Sequence, residues 1–202
     1  MKSRLRQAAK TSFVNVVGRL PSTGSMVNKL ACWIRFSHWC AQRSARLGRY
    51  DDLASGRYED RYALYESMIV QESLDKTPLV FLEFGVYEGA SISWWARRIS
   101  HPSARFVGFD TFSGLPEKWF GWAVPGMFSA KGKIPEIGDQ RCQYKVGLFQ
   151  ETLPEFLRGF CRPGPLVVHL DADLYSSTLF ALSSIGTILR AGDLLFFDEF
   201  FC

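Results

Sequence analysis

Acidic residues close four apolar runs of this sequence. Glu83 follows LVFL, Asp110 follows FVGF, Asp171 follows VVHL, and the pair Asp198–Glu199 follows LLFF. Runs this apolar do not end in carboxylates for packing reasons, because buried charge is costly unless it is paired. If neighbouring strand tips carry them, Asp171, Asp198 and Glu199 fall within one coordination sphere. Oxygen ligands of this kind suit a hard divalent cation such as Mg2+. A competing use exists for Asp173: Ser176, Ser177 and Thr178 precede a helical run, LFALSSIGTIL, which Asp173 can cap. We therefore assign Asp173 to capping or support and Asp171 to chemistry.

The first of these acids opens a second feature. Residues 79–91 read LVFLEFGVYEGAS, a strand-like apolar run followed by Glu83, Gly85 and Gly89. The glycines let the chain turn tightly and approach a ligand closely, and Ser91 with SWWARRI starts a helix. A dinucleotide fingerprint needs G-x-G-x-x-G. Here the spacing is E-x-G-x-x-x-G, and Glu83 puts negative charge where a pyrophosphate would sit. A ligand carrying an ammonium or sulfonium group suits the loop better. Asp110 lies 21 residues after Gly89 at the end of FVGFD. In βαβ cofactor sites an acid there accepts hydrogen bonds from ribose hydroxyls. It also suits a turn, since Thr111, Ser113, Gly114 and Pro116 follow, and both uses are compatible.

The motifs FLEFGVYEGAS, VGFDTFSGLPEKW, VGLFQETLPEFL, LDADLYSST and GDLLFFDEF together resemble the class I S-adenosylmethionine-dependent methyltransferases, and within them the macrocin O-methyltransferase-like family. The resemblance covers about residues 58–202. It implies an O-methyltransferase that acts on a hydroxyl of a small molecule or sugar, with S-adenosylmethionine and Mg2+. It also implies site residues. Gly85 and Gly89 would line the methionine part of the cofactor, with Glu83 at the strand end nearby, and Tyr87 and Ser91 would also be cofactor-binding. Asp110 would hold the ribose, Thr111 after it would be a further cofactor-binding residue, and Gly147, Leu148 and Phe149 would border the adenine. Asp171 would be a metal ligand and the base that takes the acceptor proton, with Asp198 and Glu199 completing the metal site. The family more often has two aspartates at that last position. Its fold also normally continues beyond the fifth strand with a helix and an antiparallel strand pair, which this sequence lacks. The expectation is an exposed edge covered by a partner, such as a second copy, or a fragment.

These groups must be positioned by a sheet. Strands are expected near 79–84, 105–109, 143–147, 166–171 and 193–198, and helices near 58–74, 90–100, 152–159 and 176–190. The alternation predicts an α/β protein with a doubly wound, mostly parallel sheet, the Rossmann-like core that the resemblance implies. Residues 112–140 form a long connection holding Trp119, Phe120, Trp122, Met127 and Phe128 among five glycines and three prolines. Loops of this length inside a compact domain are usually functional, so it is a candidate lid.

Composition divides the chain in two. Residues 1–50 hold ten Lys or Arg and no acid, whereas residues 51–202 hold 14 Lys or Arg and 20 Asp or Glu. The expected organisation is a basic, partly helical extension (1–50) and a cofactor-binding core (51–202). Val27, Leu30, Ile34 and Trp39 recur near helical spacing among arginines. Such a segment can lie on an anionic membrane surface, pack on the core, or serve as a targeting segment. No apolar run approaches the roughly 20 residues of a membrane-spanning helix. Five cysteines without C-x-x-C spacing point to a reducing, cytoplasmic compartment, with peripheral membrane contact through the extension as the variant. His38, His101 and His169 are scattered, and His169, inside a strand, reads as a core residue. A non-catalytic module with a basic arm for membrane or nucleic acid is the rival from another class. An NAD-dependent oxidoreductase is disfavoured by the glycine spacing.

Overall fold

The structure is a computed structural model that describes residues 23–47, 61–119 and 122–198. The chain divides into two compact units, Met1–Tyr65 and Glu66–Cys202, a division later than the charge break at residue 50.

In the first unit, helix α1 spans Thr23–Leu47. The expected helical spacing is realised, and Val27, Leu30, Trp33 and Ile34 are all exposed. Helix α2, Arg61–Gln71, begins at the end of this unit. No helix among the described residues is long and apolar enough to cross a membrane.

The second unit holds one five-stranded parallel sheet: β1 (Val80–Phe84), β2 (Arg105–Asp110), β3 (Cys142–Val146), β4 (Leu166–Leu170) and β5 (Leu194–Phe197), in the order β3-β2-β1-β4-β5. Helices α3 (Ala90–Arg98), α4 (Phe149–Arg158) and α5 (Tyr175–Ile185) connect them. β1 and β4 are buried along their whole length, as strands covered on both faces must be. Alternate residues serve opposite faces. Val80, Leu82 and Phe84 join Leu153 of α4 and Ala181 and Ile185 of α5 in one core layer. Phe81, pointing the other way, stacks on Trp95 of α3 at 5.1 Å. The sheet is thus doubly wound, and its order reverses between β1 and β4, which opens a crevice at their carboxyl ends.

Helix α4 starts at Phe149, three residues before the expected 152. The reason is packing: Phe149 meets Phe84 edge-on at 5.3 Å inside the core, and only the first helical turn aims it there. Arg141 ties the end of α3 to β3 by donating to the carbonyls of Ala96, Ile99 and His101. Among the described residues Cys32, Cys142 and Cys161 are free thiols, and burial pushes Cys142 up to about 11.

At the amino end of β4 and β5, far along the strands from the acids, Arg162 pairs with Asp193 at 2.6 Å, both nearly buried. Asp193 also accepts from the backbone N–H of Leu166 (2.9 Å) and Arg190 (2.6 Å). Burial alone would raise its pKa, but Arg162 and the two N–H donors hold it below the usual value. Removing one partner of such a pair leaves an uncompensated charge. Arg162→Ala is expected to cost about 3–5 kcal/mol, read as a lower urea midpoint at pH 7. The sign with pH follows. The carboxylate's contribution is complete above the unfolded pKa of about 3.9 and is lost as pH falls through the lower folded value. The difference between wild type and Arg162→Ala should therefore shrink below about pH 4, and an unchanged difference there refutes the assignment.

Candidate active site

The turn after β1 is held by Asp110 at the tip of β2. Its Oδ2 accepts the backbone N–H of Val86 (2.7 Å) and Tyr87 (2.8 Å), and its Oδ1 accepts that of Phe112 (2.7 Å). Tyr87, half exposed, is thereby kept at φ 52. A carboxylate offers about four lone-pair positions, so three are used by the protein itself. Room is left for one further donor rather than the pair of ribose hydroxyls expected. Each such bond to a charged acceptor contributes about 1.5–3 kcal/mol, with strong non-additivity between neighbours. Asp110→Ala is expected to destabilise the fold by on the order of 3 kcal/mol. A thermal melt at wild-type midpoint would show that the turn does not depend on this acid.

Gly85 sits at φ +90, and a Cβ there would lie 1.8 Å from the backbone oxygen of Asp171. The glycine turn and the tip of β4 are therefore in direct contact. Gly89, at φ +80, leads into α3 and lies under Pro135, which a Cβ would meet at 2.8 Å. Ser91 is buried in the first turn of that helix.

Register organises the layer beneath. Tyr144, Gly108, Glu83, His169 and Phe196 form one row across the five strands. Gly108 has no side chain because Val86 and the Tyr144 ring occupy that space, at 2.6 and 3.0 Å from a would-be Cβ. Glu83 and His169 face each other on adjacent strands, Oε1 to Nδ1 2.9 Å, each 1% exposed. Burial lowers the imidazole pKa, but the Glu83 carboxylate, with Asp171 and Asp198 further off, outweighs it and leaves His169 raised. This corrects the placement of Glu83: its carboxyl is committed to His169 inside the sheet and does not line the glycine loop.

Two residues beyond His169, Asp171 emerges at the tip of β4. The Asp198 N–H donates to Leu170 O at 3.0 Å, which sets Asp198 beside it. Ligand atoms of His169, Asp171 and Asp198 all lie within 4.8 Å of one another. Two of the expected metal ligands are thus together, and Glu199 lies outside the described residues. The sequence reading missed His169 in this cluster. Its signal was the i, i+2 spacing to Asp171, which places both on one face of a strand.

Other expectations are altered. Asp173 adopts φ 59, and the residue preceding α5 is Leu174 with no side-chain cap, so Asp173 is not the helix cap. Thr111 shapes its own turn, donating to Gly114 O and accepting from Ser113 N–H, both at 3.2 Å. Gly147 is at φ +137 and Leu148 is partly exposed beside it, whereas the Phe149 side chain belongs to the core and not to an adenine pocket.

The described parts of the long connection are anchored on the turn and helix that follow β4. Leu115 and Ala123 cluster with Leu174, just after the Asp171 turn, and Trp119 and Met127 pack on them. Ser176 at the start of α5 donates to Glu117 at 2.6 Å. Trp122 and Phe128 remain exposed, and Phe120 lies outside the described residues.

With this geometry in hand, comparison with known proteins is informative. The family described as "Methyltransferase domain" matches residues 82–200. Among solved structures, the crystal structure of CalS11, calicheamicin methyltransferase, is similar at a TM-score of 0.56 with 24% identity, covering 80% of this chain and 77% of that one. The apo structure of CalS11, described as a TDP-rhamnose 3'-O-methyltransferase, gives 0.49 with 27% identity over 79% and 70%. No curated protein matches.

Proposed function

We infer that this chain, which belongs to the methyltransferase domain family, transfers a methyl group from S-adenosylmethionine to a hydroxyl of a small molecule or sugar, as macrocin-type O-methyltransferases do, with a divalent cation at the acidic strand tips. The observation that carries this reading is the contact of Gly85 with Asp171. It joins the glycine turn of a cofactor site to a carboxylate cluster that can handle an acceptor oxygen.

The residues fit both groups. The glycine turn is followed by the Asp110 tip, whose remaining lone pair can receive a ribose hydroxyl. Asp171 and Asp198 give the crevice the negative charge that a cationic sulfonium favours. The same two carboxylates and His169 converge closely enough to hold an ion. When bound, S-adenosylmethionine supplies a methyl group already activated on sulfur, and a divalent cation acidifies and orients the acceptor hydroxyl. The protein's share is mainly alignment. Asp110 fixes the turn that the cofactor rests on. Asp171 receives the acceptor proton at a carboxylate oxygen. The 112–140 connection, anchored at Glu117–Ser176 and Pro135–Gly89, keeps water from the crevice.

Calorimetric titration tests the reading. S-adenosylmethionine should bind saturably, more tightly with Mg2+ present, and NADH should not. Saturable NADH binding with none for S-adenosylmethionine sinks it. The basic extension adds a separable proposal. Exposed Val27, Leu30, Trp33 and Ile34 on α1, in a segment free of acids, suit an anionic bilayer surface. Deleting residues 1–50 should abolish co-sedimentation with phosphatidylserine vesicles and leave cofactor affinity unchanged; retained co-sedimentation removes that role.

A further inference from the structure

We propose that His169, oriented by Glu83, is a third ligand of the cation site, and that the site consequently prefers Mn2+ or Co2+ to Mg2+. The inference rests on the methyltransferase reading only in taking its cation site as the place where metal binds.

Three observations carry it. First, the His169 ring is buried and its Nδ1 is held by the Glu83 carboxylate at 2.9 Å. A carboxylate on one imidazole nitrogen is the arrangement that fixes the ring and presents the other nitrogen to a metal. Second, Asp171 follows the last residue of β4, two positions after His169, and its N–H donates to Phe84 O at 2.9 Å, which holds it at the strand tip above the His169 row. Asp198 is aligned beside Asp171 by its bond to Leu170. Third, ligand atoms of all three residues lie within 4.8 Å of one another. Bonds of about 2.0–2.2 Å from nitrogen and oxygen to a metal put opposite donors about 4.2 Å apart. Three donors cannot all be opposite one another, so closing on an ion draws the atoms together by about 1 Å, within reach of side-chain rotation.

The consequence concerns selectivity. Mg2+ favours oxygen donors and sheds water reluctantly. An imidazole beside two carboxylates shifts preference toward later divalent ions, which bind nitrogen more strongly. Were His169 only a hydrogen-bonded strut, the site would be an all-carboxylate one and Mg2+ would compete well.

The test uses the full chain, stripped with chelator and titrated separately with Mg2+, Mn2+ and Co2+ by calorimetry. Co2+ and Mn2+ should bind at least about tenfold more tightly than Mg2+, and Glu83→Gln should weaken Co2+ by about tenfold. His169→Asn should weaken Co2+ and Mn2+ far more than Mg2+ and so abolish the preference for Co2+. Because a buried histidine variant can fail to fold, a wild-type readout stands beside it. With 15N-labelled histidine and Zn2+ as a diamagnetic probe, the ring nitrogen signal of His169 should shift, while those of His38 and His101 serve as controls. An unmoved His169 signal at saturating Zn2+, or equal affinities for Mg2+ and Co2+, overturns the proposal. Titrating S-adenosylmethionine without metal separates the two readings. A chain that binds Co2+ through His169 but no S-adenosylmethionine refutes the methyltransferase reading alone; the converse refutes only the histidine ligand.

Discussion

Asp171→Asn is expected to lower methyl transfer by about 10²- to 10⁴-fold, the usual contribution of a positioned general base. The amide cannot take the acceptor proton, and it removes one charge from the cation site. The second effect is measurable without a substrate. An ion that binds only the folded chain stabilises it by about 2.7 kcal/mol at a hundredfold excess over its Kd. The rise in melting temperature with Mg2+ should therefore be largely lost in Asp171→Asn. Asp173→Asn is the control. Asp173 sits at φ 59, a conformation asparagine tolerates, and it lies outside the cluster of converging ligand atoms. It should keep most of the cation response. Equal losses from the two substitutions would refute the assignment of Asp171 to the site.

Gly85→Ala should be the most damaging single methyl addition in the chain's core region. Its Cβ would stand 1.8 Å from the Asp171 carbonyl oxygen, 2.6 Å from the carbonyl carbon and 3.2 Å from the Ala172 Cα, all of them backbone atoms. No rotamer change relieves that overlap, so either the turn or the tip of β4 must move. The φ of +90 adds strain of about 1–3 kcal/mol for any residue with a Cβ. A total above about 4 kcal/mol places this substitution among the exceptional cases. Loss of S-adenosylmethionine binding and of the cation response together is the expected result, because both sites share the displaced backbone. Gly126→Ala isolates the strain term, since Gly126 is at φ +85 with nothing within 4 Å of a Cβ. It should cost only the conformational term, about 1–3 kcal/mol by chemical denaturation. Similar losses for the two would mean that contact between turn and strand tip is unimportant.

Much of this molecule is legible without coordinates. Apolar runs of strand length and the spacing of turn residues located all five strands, and the 79–91 and 106–110 motifs placed a cofactor turn before a helix and an acid at the next strand tip. Periodicity and local chemistry are properties of short segments, so a linear reading reaches them. The positions where the reading needed correction share another cause. Whether a carboxylate lines a crevice or is spent inside the sheet depends on what the neighbouring strand puts opposite it.

Glu83 and Asp110 show this most clearly. Both end apolar runs, and both were read as ligand-facing. Register sets Glu83 against His169, 86 residues away, so its charge is used beneath the surface. Asp110 meets three backbone N–H groups and becomes a support for the loop that it was expected to accompany. The resemblance set Phe149 beside the adenine, but its ring packs on Phe84 across the core. His169 looked like an isolated core residue until β4 and β5 brought Asp171 and Asp198 around it. The sequence by itself determined the α/β alternation, the glycine turn and the acids at the strand tips, because each is written in residues close together. Only the tertiary structure decided which of those acids pair, which remain for a ligand and which histidine joins them. Parallel strands join residues far apart in the chain, and the energy of a buried charge is set by those partners.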